Sequence, residues 1–245
     1  MSMNKNKVIS QIDRRVLEGV MHRGYHSKDV SENSLEAFRR AVEIGASIEF
    51  DVHITKDDEL VVIHDEDLKR LTGKEGIVED LTLKELKENY SLLDGQKIPS
   101  LTEVLDLVDE RVPMLIELKV FRKNYKRLAK VFKEYIVKRI KDKTKYILIS
   151  FDPRSLFPLK SLGLVRLLLI NHEYMYVYNL FRFFFDGLDL EDVMFSNTRI
   201  QRYAKKHFMN VWTIESLEKA KELRPYVDTM TYQYLDPIEM KELLK

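Results

Sequence analysis

SIEFDVHIT, residues 47–55, alternates strictly: Ile48, Phe50, Val52 and Ile54 are apolar, and Glu49, Asp51 and His53 stand between them. Successive side chains of a β-strand point to opposite faces, so the spacing predicts one apolar face and one face carrying two acids and a histidine. Two settings give such a strand. At a sheet edge the acids sit in water. In a barrel the apolar face packs on outer helices and acids near the carboxyl end of the strand look into the mouth.

The strand within this stretch reads as Ser47–Val52, and seven further runs read as strands: Leu17–Met21, Met114–Leu118, Tyr146–Ser150, Val165–Ile170, Val193–Phe195, Asn210–Thr213 and Val227–Thr231. Between them lie helical patterns. SLEAFRRAVEIG puts Leu35, Phe38, Ala41 and Val42 on one face, and LAKVFKEYIVKRI does the same with Leu128, Phe132, Tyr135, Ile136 and Ile140. Strand and helix alternating eight times predict a (β/α)₈ TIM barrel spanning 1–245 as a single domain, with its site at the carboxyl ends of the strands. One long interruption, from Asp65 to Arg111, holds LTLKELKEN and IPSLTEVLDLVDE and reads as a small insertion after the second strand.

Composition narrows the function classes. The 245 residues are 44% hydrophobic, enough for one large core, and carry a formal charge of only +1 although 33% are charged. No overall field points to nucleic acid or to a membrane surface. With no cysteine there is no disulfide and no thiolate metal site, so a metal would need oxygen or imidazole ligands. Neither a signal-peptide-length apolar run nor a membrane-spanning one occurs, which gives the expectation of a soluble cytoplasmic protein without stable membrane insertion. Oligomeric state is not legible.

Other strand ends repeat the polar signature. MLIELKV places Glu117 and Lys119 on one face of the Met114–Leu118 strand, where a structural ion pair is the ordinary reading. Together with Glu49 and Asp51, however, Glu117 supplies a third hard oxygen ligand suited to a divalent cation, Mg²⁺ or Ca²⁺. Two histidines also follow apolar runs, His22 in VMHRG and His64 in VVIHDED. Imidazole exchanges protons near neutral pH, so an opposed pair can serve as base and acid. Arg23 can present a fork to phosphate, with a salt bridge as its alternative, and Gly24 permits a tight turn.

HRGYHSKDVSENSLEAFRRAVEIGASIEFDVHITKDDELVVIHDEDLKRLTG, with IPSLTEVLDLV, LIELK, ISFDP and VWTI after it, resembles the glycerophosphodiester phosphodiesterases, whose signature runs HRG, PEN, ExD, HD. The resemblance covers Val20 to about Thr213. It implies a TIM barrel with an insertion after the second strand. It further implies metal-dependent hydrolysis of small glycerophosphodiesters to an alcohol and sn-glycerol 3-phosphate. Position by position, His22 and His64 match the catalytic pair, Glu49, Asp51 and Glu117 the metal ligands, and Arg23 and Lys119 the phosphate-binding residues. Trp212, the one tryptophan, is implied to line the pocket over the glycerol. Ser31 departs from the usual Pro of PEN and His53 from the usual Gln after ExDV, and VDTMTYQYLDP lacks the Gly-rich ending common in the family. Asn33, three before Glu36, also reads as a helix N-cap.

Two alternatives stay open: a lysophospholipase D or phospholipase-type enzyme on the same scaffold, and a noncatalytic barrel binding a phosphorylated ligand. The aromatic stretch HEYMYVYNLFRFFFDGL (172–188) raises the first, although core packing explains its residues more simply. The basic stretch from Lys119 to Lys145 reads as a solvated outer helix. His53 is expected as a polar lining residue, and His172 as a mouth residue within reach of substrate.

Overall fold

In this computed structural model residues 4–245 are described. The strands are β1 (Val20–Met21), β2 (Ser47–Ile54), β3 (Leu60–Val62), β4 (Met114–Leu118), β5 (Tyr146–Ser150), β6 (Val165–Ile170), β7 (Gly187–Glu191), β8 (Phe208–Trp212) and β9 (Thr231–Tyr232). All but β3 form one parallel sheet in the order β8-β7-β6-β5-β4-β2-β1-β9. Its ends meet where the Ile214 amide donates to the Thr231 carbonyl at 3.0 Å and the Gln233 amide to the Ile214 carbonyl at 3.1 Å. The sheet thus rolls into the expected (β/α)₈ barrel.

The barrel answers which face of residues 47–54 is outside. Ile48, Phe50, Val52 and Ile54 pack outward with Phe38, Ala41 and Val42 of the helix Leu35–Glu43, and the Phe38 and Phe50 rings meet edge-on at 5.5 Å. Each such buried aromatic stabilises the wall by about 1.5–3 kcal/mol. The interior is a second, smaller core of Leu115, Ile147, Ile149, Val165, Leu167 and Phe208. Val8, Ile12 and Val16 close it from below, so only the carboxyl ends of the strands stay open.

Three expectations are corrected. Val193–Phe195 is a 3₁₀ turn (Asp192–Ser196), and the strand lies earlier, at Gly187–Glu191. Acids and a glycine disguise that strand, because both are poor strand formers. The glycine is needed there: a Cβ on Gly187 would lie 2.5 Å from the Phe208 carbonyl oxygen. At the amino end only Val20–Met21 is strand, since Leu17 and Glu18 belong to the turn Arg14–Glu18, and at the far end pairing begins at Thr231 rather than Val227.

The third concerns the aromatic stretch. Val177, Tyr178 and Phe185 are buried, but Tyr174, Tyr176, Leu180, Phe183 and Phe184 face solvent, Tyr176 at 60% and Phe184 at 59% exposure. Core packing therefore accounts for only part of it. No helix among the described residues is long and apolar enough to cross a membrane.

The segment 65–111 divides in two. Val61, Ile63, Leu68, Leu71, Val78 and Leu86 form a core of their own, apart from the barrel. The helix Leu101–Val108 instead sends Leu101, Val104 and Val108 into the outer barrel layer. Capping boxes at Thr82–Glu85 and Ser100–Glu103 start the two helices foreseen there. β3 pairs antiparallel with β2, Val52 opposite Val62, and so carries the chain back over the mouth to His64.

Candidate active site

Parallel register brings the acids together. Asp51 stands opposite Glu117 across the β2–β4 pair, and Glu49 lies two residues earlier on the same inward face. All three are buried, with carboxylate oxygens within 4.8 Å of one another. Burial and the charges of Asp51 and Glu117 push Glu49 well above its ordinary range, and burial with Asp51 nearby pushes Glu117 up to about 7 despite Lys119. Asp51 goes the other way. Burial would raise it, but Lys119 and Arg23 hold it far down. Lys119 Nζ lies 3.1 Å from Glu117 and 3.5 Å from Asp51.

His22 and Arg23 leave β1 at the turn closed by Gly24. Arg23 has φ +56° and Gly24 φ +79°, and a Cβ on Gly24 would come within 3.0 Å of the Ala37 backbone, so the helix Leu35–Glu43 packs directly on the turn. The Arg23 amide donates to Glu49 at 3.0 Å, and its Nη1 to Glu32 at 2.7 Å. Arg23 Nε is 3.5 Å from Asp51, close enough for charge attraction but not for a hydrogen bond.

The two histidines are held differently. His22 donates its amide to the Tyr232 carbonyl at 2.9 Å, and its Nδ1 lies 2.7 Å from Gln233 Oε1. An amide oxygen only accepts, so Nδ1 carries the hydrogen and Nε2 keeps a lone pair. Burial and the Arg23 charge bring His22 down to about 3, and it is neutral at physiological pH. His64 Nδ1 lies 2.5 Å from Asp65, and Arg70 holds that carboxylate at 2.6 Å and also reaches Glu32 at 2.9 Å. Burial lowers His64 too, with Asp51 opposing.

His22, Arg23, Glu49, His64, Glu117 and Trp212 line one pocket of about 90 Å³. Asp51 is not among its walls, and Lys119 opens onto a neighbouring cavity with which this pocket shares Glu117. Trp212 ends β8, donates Nε1 to the Asp189 carbonyl at 3.3 Å and meets the Phe151 ring edge-on at 5.5 Å.

Several site features lay outside the sequence reading. Asn33 is not the helix cap: Ser34 caps, accepting from the Ala37 amide at 3.1 Å, while Asn33, at φ +55°, donates to Asp51 at 2.8 Å. Ser31, where the related pattern has Pro, donates its amide to Asp94 at 2.8 Å, a bond Pro lacks the hydrogen to make. His53 does not line the pocket. It is buried, and Nε2 donates to the His64 carbonyl at 3.0 Å, steadying the residue opposite His22. His172 binds Glu191 at 2.6 Å on the surface and is absent from the pocket wall. Asp189, on the strand misplaced in sequence, lines the pocket buried, with Oδ1 unpartnered, and burial pushes it up to about 8.

The sequence model of the glycerophosphoryl diester phosphodiesterase family matches residues 22–182, about two thirds of the chain. The chain belongs to this family. A glycerophosphodiester phosphodiesterase of Caldanaerobacter subterraneus is 39% identical over 154 residues, 59% of this chain and 62% of that protein. The match thus spans under two thirds of that relative. The crystal structure of a glycerophosphodiester phosphodiesterase from Thermotoga maritima is similar with a TM-score of 0.73 at 33% identity, covering 92% of this chain and 97% of that one. An Oleispira antarctica phosphodiesterase, solved with sn-glycerol 3-phosphate, shares the fold with a TM-score of 0.79 at 21% identity over 92% and 95% of the two chains.

Proposed function

We propose that this family member hydrolyses glycerophosphodiesters to an alcohol and sn-glycerol 3-phosphate, with His22 and His64 exchanging the protons. The observation that carries the reading is one small pocket lined by two histidines and by crowded carboxylates. The Oleispira relative, solved with sn-glycerol 3-phosphate as its product, supports the product class.

The donor set fits a divalent cation. Burial pushes Glu49 and Glu117 up, and the mutual repulsion of three carboxylates this close adds to it; a cation relieves that repulsion. Hard oxygen donors suit Mg²⁺ or Ca²⁺, with Glu49, Asp51 and Glu117 holding it. When bound, such an ion supplies charge neutralisation to the phosphate oxygens. Asn33 keeps Asp51 aimed inward, and Arg23 and Lys119 have donors beyond their present ion pairs to place on the phosphate.

The histidines are unequal proton carriers. Asp65 offers a carboxylate to a positively charged His64, whereas Gln233 offers His22 only a neutral amide. His64 therefore holds the charge better when a proton arrives on the pair. Trp212 and Phe151 wall one side of the pocket, and on this reading the glycerol carbons pack against them.

A panel of glycerophosphodiesters assayed with Mg²⁺, Ca²⁺ or Mn²⁺ tests the reading. Glycerol 3-phosphate should be released and a chelator should stop it. Absence of turnover across the whole panel would overturn the proposal. Glu49→Gln should weaken metal binding and turnover together, and an unchanged metal titration would remove Glu49 from the ligand set.

A further inference from the structure

Half-way round the ring of strands from Glu49 and Glu117, the pocket is walled by Asp189 on β7 and Trp212 on β8. Asn210 stands opposite Asp189 across the β7–β8 pair, and on the other side Asp189 meets Leu169 of β6, whose side chain has no polar atom. Asp189 is 1% exposed and Asn210 is wholly buried. Asn210 Nδ2 donates to Thr231 Oγ1 at 2.8 Å, and the indole Nε1 of Trp212 is taken by the Asp189 backbone carbonyl. Asp189 Oδ1 and Asn210 Oδ1 are left, two buried side-chain acceptors on neighbouring strands with no donor among the described residues.

A buried acceptor without a donor is destabilising, and this layer of the barrel holds two. A proton on Asp189 would serve one of them and leave the other. One layer below, the same inward positions are filled by apolar Ile147, Leu167 and Phe208, the ordinary content of a barrel interior. The polar pair therefore calls for a donor that comes with the ligand. Of the parts common to every glycerophosphodiester, the phosphate oxygens accept and only the glycerol hydroxyls donate. Trp212, whose ring is held on the Asp189 backbone, sets an apolar face for carbon beside a polar group for the hydroxyl.

We propose that Asp189, backed by Asn210, sets specificity for the polyol: Asp189 Oδ1 accepts a hydrogen bond from a glycerol hydroxyl while the carbons lie on Trp212. The inference rests on the phosphodiesterase reading above and adds to it the group that tells glycerol from a plain alkyl chain.

The test compares glycerophosphocholine with the two analogues that lack one glycerol hydroxyl each and with propylphosphocholine, which lacks both. In the unmodified protein, loss of the hydroxyl that meets Asp189 should lower kcat/KM by roughly 10–100-fold, because a buried acceptor is then left unpaired. Asp189→Leu removes the acceptor at similar volume and should shrink that ratio by roughly fivefold or more, whereas Asp189→Asn keeps an acceptor oxygen and should retain most of it. A ratio unchanged by Asp189→Leu would overturn the proposal and place the hydroxyl on another group, a bound cation included. Equal turnover of all four diesters would overturn it as well.

A second measurement needs no turnover. Binding of sn-glycerol 3-phosphate and of propyl phosphate, each with Mg²⁺, is followed by calorimetry in the unmodified protein and in Asp189→Leu, whose folding is checked by its melting curve. Glycerol 3-phosphate should bind the unmodified protein roughly tenfold or more tightly than propyl phosphate, and Asp189→Leu should bring the two together. Equal affinities in the unmodified protein, or a difference that survives Asp189→Leu, would overturn the assignment of Asp189. The expected binding pattern with no diester hydrolysed would uphold that assignment and remove the phosphodiesterase reading.

Discussion

His22 and His64 reach the same pocket from two different kinds of structure. His22 ends a buried barrel strand. Its backbone belongs to the sheet, through the Tyr232 carbonyl, and its ring leans on a neutral amide. His64 follows β3, which pairs with the barrel on one side only, and its ring leans on Asp65 in a network reaching Arg70, which is half exposed, and Glu32. Packing fixes the first and charge fixes the second. The comparison teaches that one pocket can draw on two sources of rigidity, and only the second is open to salt and solvent.

Removing the imidazoles should have the largest effect and show no difference between the arms. His22→Ala and His64→Ala should each lower kcat by roughly 10²–10⁴-fold, with smaller changes in KM. Near-normal turnover in either variant would take that residue out of the reaction.

The partners should then separate the arms. Asp65→Asn removes the charge behind His64 and should cost about 10–100-fold in kcat, while Gln233→Ala, which removes a neutral partner, should cost less. If Gln233→Ala proved the more damaging, the assignment of the charge to His64 would fall.

A smaller effect tests the exposed end of the network. Arg70→Ala should lower kcat a few-fold at low salt, and the deficit should shrink as added salt weakens the same pairs in the unmodified protein. A deficit independent of salt would mean that Arg70 acts by packing.

The barrel side has its own electrostatic cost, read by pH in metal-free protein. Asp189, up at about 8 through burial, binds its proton more tightly folded than unfolded, where its value is 3.8. Its contribution to stability is whole below about pH 4 and is lost as pH rises toward 8. Relative to Asp189→Asn, the unmodified protein should therefore fall in melting temperature across that window. Parallel pH profiles for the two would show that Asp189 stays ionised.

Legibility followed physical range. Residues 47–54 and 114–118 were readable because a two-residue period assigns each side chain to a face without knowledge of its neighbours. Once the fold was a barrel, Glu49, Asp51 and Glu117 had to face inward. The strand Gly187–Glu191 failed because its glycine and acids are tolerated only in the register it takes against Phe208 and Asn210. Asp189 was lost with it. Asn33 looked like a cap because cap and ligand-orienting residues use the same short polar side chain, and the positive φ that turns it toward Asp51 leaves no mark in sequence.

By itself, then, the chain determined its alternation of strand and helix, the inward acids and the motif order that placed His22 and His64 at strand ends, since these depend on residue type and local spacing. Tertiary structure alone decided what each side chain leans on. Gln233 meets His22 from 211 residues away, and His53 reaches the His64 carbonyl across an antiparallel pair. It also decided that Tyr176 and Leu180 face water and not core. An apolar helix face is the same in sequence whether or not something covers it, and only the packed neighbours determine which.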